Sequence, residues 1–296
     1  MKRIRSTAIA LLGVSLLGAP NAVDAAFPGR NGRIVFNRGS DQSPQIVSAN
    51  SRGGAVRVLS EGQRDRYPIW SPDGTQIVFT RGGRKNNGIF IMDADGSNVR
   101  GAPGRTPREE ALPSWSPNGK RILFSMAEKG VYNLYKQRLD GTHRVKLAED
   151  AFQASWSPTG RLIAFTRGVG PDYEVFTMHP DGTHVKRITD NKEYDFSPVW
   201  SPDGKHLLVS TFSARNRGDI WRLAPDGSKA KQLTDSRATE ASPAWSSNGR
   251  LIVYERAPFG SEEDSDLWVM TSSGRFVRRL VTGPRNERFP DWQPQP

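Results

Sequence analysis

The chain has 296 residues, no cysteine and a formal net charge of +11. Without cysteine it has neither disulfide bonds nor a thiol nucleophile, so its stability must come from packing and strand pairing. The basic residues are scattered along the chain and form no run with interleaved aromatic residues, so we do not expect a nucleic-acid partner. The positive charge instead favours contact with an anionic surface, such as a cell-wall polymer, phospholipid headgroups or an acidic protein.

The chain begins with the features of a secretory signal peptide. A basic start that ends at Arg5 is followed by an apolar run over residues 8–19 and by small residues up to Ala25. We therefore predict that residues 1–25 are a signal peptide and that the protein is exported to a periplasmic or extracellular location. The apolar run is too short for a membrane span, and no other stretch is long enough. An N-terminal anchor helix is the alternative interpretation.

A motif built around tryptophan recurs six times at a spacing of about 45 residues, which is the length of one four-stranded propeller blade. The six residues are Trp70, Trp115, Trp156, Trp200, Trp245 and Trp292. The spacing predicts an all-β fold in which residues 26–296 form one six-bladed propeller of four-stranded antiparallel blades. We expect a monomer.

One repeat shows how the strands of a blade alternate with turns. A short strand over 67–70 leads into the turn Ser71–Gly74, in which proline presets one backbone angle and glycine accepts a positive φ. Apolar and β-branched residues predict strands over 77–80 and 89–92, and a second turn follows at 95–96. A short outer strand completes the repeat.

The two ends of the chain complement each other. The segment 31–59 has the second, third and outer strands of a blade but no tryptophan strand before them, whereas 289–292 is a tryptophan strand with nothing after it. We therefore predict that 290–292 pairs with 33–37 and closes the ring, which leaves no free sheet edge. Residues 293–296 are expected to be a short tail.

The motif Trp70–Gly74, together with Ile91–Gly96, resembles the TolB-type, WD-like propeller repeat, and the resemblance extends over the whole predicted propeller. It implies a binding function: TolB is a periplasmic protein of the Tol–Pal system, and its propeller binds the peptidoglycan-associated lipoprotein. The resemblance does not extend to TolB's N-terminal domain, because the predicted propeller begins within a few residues of the predicted cleavage site.

The sequence contains no recognisable catalytic motif. None of the four histidines has the spacing of a zinc site, and no Gly-x-Ser-x-Gly nucleophile motif is present. We therefore predict no catalytic residue, no metal and no cofactor. The alternative is a propeller enzyme of the lyase or lactonase type acting on a carbohydrate or small molecule, because such enzymes assemble their sites from scattered loop residues.

Acidic residues recur five positions before tryptophan, at the start of the inner strand of each blade. They are Asp65, Glu110, Asp195, Glu240 and Glu287, with Glu109 beside Glu110, and Ala151 is the exception, with Asp150 beside it. We expect these acids to gather around one mouth of the central channel. There they could hold a cation or a basic segment of a partner.

Most of these acids are predicted to be neutralised within their own blade by an arginine opposite them on the next strand. The predicted pairs are Asp65–Arg81, Asp150–Arg167, Glu240–Arg256 and Glu287–Arg38. Met126 and Thr211 take the place of the arginine in the other two blades, so Glu110 and Asp195 are expected to lack a cation. We predict that a cation, or a lysine or arginine of a partner, binds near these two acids, unless they are simply hydrated.

The outer strands carry one cation each: Arg57, Arg100, Lys146, Lys186, Lys231 and Arg278. Such residues commonly prevent sheets from associating edge to edge, although a basic rim could also bind an anionic polymer. Together these observations predict an exported, non-enzymatic binding protein that engages a protein or a cell-envelope component at one channel mouth.

Overall fold

The computed structural model describes residues 30–295, apart from 41, 62–63, 83–86, 105, 107, 214–216, 262–263, 282 and 284–285. The predicted signal peptide and its cleavage site lie outside this range. The described part of the chain folds into six four-stranded antiparallel sheets that form a propeller. It contains no helix of the length and hydrophobicity that a membrane crossing requires.

The strands in chain order are β1 (Arg30–Arg38), β2 (Gln45–Ala49), β3 (Arg57–Val58), β4 (Asp65–Trp70), β5 (Gln76–Arg81), β6 (Gly88–Asp93), β7 (Arg100–Gly101), β8 (Glu110–Trp115), β9 (Arg121–Glu128), β10 (Val131–Arg138), β11 (Val145–Ala148), β12 (Ala151–Trp156), β13 (Ile163–Val169), β14 (Asp172–Met178), β15 (Lys186–Arg187), β16 (Tyr194–Trp200), β17 (Leu207–Phe212), β18 (Gly218–Leu223), β19 (Lys231–Gln232), β20 (Thr239–Trp245), β21 (Leu251–Ala257), β22 (Asp266–Thr271), β23 (Arg278–Val281) and β24 (Glu287–Gln295). Blade 1 consists of β24 and β1–β3, and blades 2 to 6 take the remaining strands in groups of four.

The ring closes as predicted, through β24. This strand pairs with β1, with Trp292 opposite Ile34 and Glu287 opposite Arg38. The prediction of a short tail after Trp292 is wrong, because β24 continues to Gln295, which lies opposite Arg30. The two ends of the described range thus form one long antiparallel pair, and blade 1 has four strands like the other five.

The hydrophobic core lies between neighbouring blades, and the six tryptophans are buried there with at most 3% of their surface exposed. Trp70 of blade 2 packs with Val35 and Ile46 of blade 1. The turn after Trp70 also contacts blade 1, since a Cβ added to Gly74 would lie 2.3 Å from the carbonyl oxygen of Pro294. Each blade is therefore stabilised by the blade before it rather than by a core of its own.

Every inner strand carries a β-bulge at the third residue before its tryptophan. The six residues have φ between 50° and 57°: Tyr67, Leu112, Gln153, Ser197, Ser242 and Phe289. At five of them the backbone N–H donates to a side chain of the preceding blade, for example from Tyr67 to Asn37 Oδ1 at 2.9 Å. This strained backbone is held by contacts between blades, and it redirects the side chains that precede it.

Candidate binding site at the channel mouth

The acids predicted from the repeat lie at one end of the sheets, which we call the acid end, where β4, β8, β16, β20 and β24 begin. The opposite end, where the turns after the tryptophans lie, is the turn end. The five strand residues are buried, with at most 2% of their surface exposed: Asp65, Glu110, Asp195, Glu240 and Glu287. Their carboxylates therefore lie beneath the surface of the mouth, whereas Glu109 and Asp150 are half-buried.

Three of the four predicted ion pairs are present: Arg81–Asp65, Arg38–Glu287 and Arg256–Glu240, with N–O distances of 2.7, 2.9 and 3.2 Å. The first pair is bidentate, because Nε and Nη2 of Arg81 donate to the two oxygens of Asp65, each at 2.7 Å. This geometry offsets much of the desolvation cost of the buried carboxylate. Each of these ion pairs joins the inner strand of its blade to the next strand of the same blade.

The predicted pair of Asp150 with Arg167 is wrong, since these two described residues form no ion pair. Ala151, not Asp150, lies opposite Arg167 in the sheet. The Arg167 guanidinium lies over the ring of Phe176, 5.9 Å from its centroid. Asp150 precedes the strand with φ of 49°, and its carbonyl accepts a hydrogen bond from Gly168. Because Asp150 lies one residue before the position opposite Arg167, its Oδ2 faces Gly168, 2.6 Å from where a Cβ on that glycine would lie.

The prediction that Glu110 lacks a cation is also wrong. Arg144 Nη1 lies 3.0 Å from Glu110 Oε1, and the Thr106 hydroxyl donates to the same oxygen at 3.1 Å. Arg144 precedes the outer strand β11 of the same blade, so it reaches the acid from beyond the neighbouring strand. The residue opposite Glu110 on the adjacent strand is Met126, so the pairing of neighbouring strands alone does not predict Arg144 as the partner.

Asp195 has no cation within ion-pair distance among the described residues. Its carboxylate accepts hydrogen bonds from Thr211 Oγ1 at 2.6 Å and from Asn191 Nδ2 at 2.7 Å. Burial, with a smaller contribution from the charge of Glu174, raises the pKa of Asp195 to about 6. Burial likewise raises the pKa of Glu240 to about 6 and that of Glu287 to about 7, and their arginines only partly oppose it.

Glu109 joins two blades at the acid end. Its Oε1 accepts hydrogen bonds from Asn87 Nδ2 at 2.9 Å and from the Tyr132 hydroxyl at 2.8 Å. Burial, together with the charge of Glu109, raises the pKa of Tyr132 above its ordinary value. The Tyr132 hydroxyl is therefore a stable donor, and Glu109 is held in place beside the mouth.

The acid end also carries an aromatic cluster that the sequence analysis missed. It consists of Phe152, Tyr173, Tyr194, Phe196 and Phe212 of blades 4 and 5. Ring centroids lie 5.2 Å apart for Tyr173–Phe196 and 5.5 Å apart for Phe152–Tyr173. Phe152, Tyr173 and Tyr194 are only partly buried, so part of the cluster faces solvent.

The position four residues before each tryptophan makes the mouth asymmetric. Blades 4 and 5 have Phe152 and Phe196 there, whereas blades 1 and 2, across the ring, have Arg288 and Arg66. The two blades between them, 3 and 6, have alanine. The sequence contains this signal one residue after the acids, but it becomes visible only when blades across the ring are compared.

A second concave feature lies at the turn end, between blades 5 and 6. This cleft of about 510 Å³ is lined by Asp203, His206 and Arg222 on one side and by Ser247 and Ser272 on the other. Burial, and then the charge of Arg222, lowers the pKa of His206. Within the part of the chain that the structure describes, no three His, Asp or Glu side chains are grouped as metal ligands.

Residues 100–296 match the TolB beta propeller domain family. The chain belongs to the TolB β-propeller family. Among solved structures, TolB from Acinetobacter baumannii has a TM-score of 0.78 at 22% identity, over 91% of this chain and 68% of that one. A TolB from Agrobacterium tumefaciens has a TM-score of 0.69 at 20% identity, over 84% and 88%.

The fold is shared with an enzyme as well. An oligogalacturonate lyase from Vibrio parahaemolyticus has a TM-score of 0.60 at 11% identity, over 90% of this chain and 80% of that one. No curated protein matches the chain at a significant level. At such identities the likeness concerns the fold alone, so the function has to be argued from the acid end itself.

Proposed function

We propose that this TolB-family propeller is an exported, non-enzymatic binding protein that engages a protein or a cell-envelope component at the acid end of its channel. The family is one of binding propellers, and the loops of a rigid propeller are suited to contacts with a partner. The basic start and apolar run of residues 1–25 support export.

The aromatic cluster of blades 4 and 5 carries this proposal. Tyr173 and Tyr194 are partly exposed and pack against buried Phe196, so they offer rigid apolar surface at little cost in side-chain entropy. Asp195 lies between Tyr194 and Phe196 in β16 and has no cation of its own among the described residues. A lysine or arginine of the partner would contact the aromatic faces, and the buried charge of Asp195 would attract it from beneath the surface without direct contact.

The acids have two roles in this proposal. Asp65, Glu110, Glu240 and Glu287 are neutralised by arginines and hold the strands that form the mouth. Asp195 and half-buried Glu109 supply the negative potential that the partner meets. The ring of acids thus shapes the mouth, and the contacts concentrate on one side of it.

The test is affinity capture from envelope extracts with the purified protein as bait. We expect Tyr173→Ser and Tyr194→Ser to weaken retention of a specifically captured partner by about tenfold each, the effect of an aromatic contact residue. Phe259→Ser is the matched control, because Phe259 follows β21 at the acid end of blade 6 and is 57% exposed. Equal retention by all three variants and the original protein would overturn the proposal.

A further inference from the structure

One turn at the turn end differs from its five counterparts. In each blade the second residue after the glycine of the outer turn has φ between 48° and 55°: Ala55, Asn98, His143, His184, Lys229 and Phe276. A bulky side chain is strained at positive φ, whereas asparagine tolerates it. Phe276 is nevertheless 85% exposed, so burial does not compensate for the strain.

Cations surround this turn of blade 6. Arg222 Nη1 donates to the carbonyl oxygen of Ser272 at 2.8 Å, and Lys231 Nζ donates to that of Ser273 at 3.2 Å. Both come from blade 5 and are held against the turn by these bonds. Positive charge from one blade is thereby placed beside the exposed phenylalanine of the next.

The turn adds further cations of its own blade. Arg275 and Arg278 flank Phe276 and are exposed, and Arg250 is joined to the turn because Ser272 N–H donates to its carbonyl oxygen at 2.9 Å. The carboxylates of this region accept hydrogen bonds within their own turns: Asp203 from the Ser201 hydroxyl and the Lys205 backbone N–H, and Asp226 from the backbone N–H and hydroxyl of Ser228. These hydrogen bonds leave the two carboxylates charged, but the five cations named above outnumber them. The region around Phe276 is therefore net positive and has an apolar tip.

We propose that this turn docks on an anionic phospholipid surface, with Phe276 at the boundary between headgroups and acyl chains and the cations on the lipid phosphates. An exposed ring beside arginines is the combination that interfacial binding requires. The turn is a projecting tip that carries its own apolar group, so it needs a deformable apolar layer to enter. A membrane supplies such a layer together with negative charge. This docking surface is independent of the acid end, which remains accessible to another partner.

The test is co-sedimentation of the purified protein with vesicles of phosphatidylcholine alone or mixed in equal parts with phosphatidylglycerol. We expect binding to the mixed vesicles to be at least about tenfold tighter, and Phe276→Asn to weaken it about tenfold. Phe259→Asn, which removes an exposed phenylalanine at the acid end, should leave it unchanged. All variants are compared with the original protein in the form that remains after removal of residues 1–25, so the predicted signal peptide does not contribute to binding.

A pair of charge variants distinguishes binding through the arginines beside Phe276 from attraction by the net positive charge of the chain. Arg278→Gln should weaken binding to the mixed vesicles about fivefold. Arg100→Gln removes the cation at the same outer-strand position of blade 2 and should leave binding nearly unchanged. An equal loss in both variants would mean attraction by net charge alone and would overturn the proposal.

We do not expect Phe276→Asn to lose binding through misfolding, because asparagine tolerates positive φ and the site is exposed. The variant should keep or raise the melting temperature. The proposal is overturned if the protein ignores the mixed vesicles or if Phe276→Asn binds them as the original protein does. It is also overturned if Phe276→Asn loses an acidic protein partner while its binding to vesicles is unchanged.

Discussion

The two ends of the propeller hold charge in opposite ways. At the acid end, Asp65 and Glu287 are fully buried and depend on arginines for compensation. At the turn end, partial burial acts to raise the pKa of Asp73, but hydrogen bonds from Ser71 and Thr75 in its own turn together outweigh it and lower that pKa. Long-range pairs between strands thus stabilise one end, and local bonds stabilise the other, so only the first should be sensitive to the loss of a single partner.

Among the changes at the acid end, removal of β24 should lower the stability of the protein most. Deleting residues 287–296 removes Trp292 from the core and Glu287 from Arg38, and it exposes the edge of β1. We expect the melting temperature to fall by more than about 10 °C, or the protein to become insoluble, which differential scanning calorimetry detects. An unchanged melting temperature would contradict closure by β24.

The next largest effect is expected from breaking one buried ion pair. Arg81→Met leaves the carboxylate of Asp65 buried without its bidentate partner and should lower the free energy of unfolding by about 3 kcal/mol. Asp73→Asn at the turn end is the control and should cost less than about 1 kcal/mol, since an amide oxygen can still accept the local bonds. Urea denaturation measures both, and equal losses would remove the distinction between the two ends.

Stability should also depend on pH through the acids with raised pKa values. Glu287 and Asp291 have pKa values of about 7, raised mainly by burial, so the folded chain binds protons that the unfolded chain releases near pH 4. Their favourable contribution to the free energy of unfolding is complete at pH below about 4 and is lost as the pH rises through 7. We expect the melting temperature to be several degrees lower at pH 8 than at pH 5.

Asp291→Asn identifies the origin of that slope. An asparagine oxygen can accept the hydrogen bond that the backbone N–H of Trp70 donates to Asp291, so the packing is retained while the titrating group is removed. The variant should therefore show a flatter dependence of melting temperature on pH between 6 and 8. Contrary evidence would be an identical slope in the variant and the original protein.

The smallest effect concerns the strained inner strand. Ser242 has φ of 50°, and its buried hydroxyl has no hydrogen-bond partner among the described residues. Ser242→Gly removes both costs and should stabilise the fold by about 0.5 kcal/mol, after the greater flexibility of the unfolded chain is subtracted. Ser246→Gly is the control, because the Ser246 hydroxyl donates to Asn248 Oδ1 and accepts from the Leu251 N–H. Urea denaturation of both variants should show a higher free energy of unfolding for Ser242→Gly and a lower one for Ser246→Gly.

The sequence by itself determined the repeat, the number of blades and the closure by the last strand, because these follow from the spacing of the tryptophan motif. It also determined three of the ion pairs: Asp65–Arg81 and Glu240–Arg256 each lie on one hairpin, and Glu287–Arg38 follows from the closure. It could not determine that Arg144 reaches Glu110 from beyond the next strand, or that Ala151 rather than Asp150 lies opposite Arg167. The inner-strand bulges and the aromatic cluster were also decided by the tertiary structure, since their contacts join different blades. Residues in different blades are far apart in the chain, and only packing of the ring brings them together.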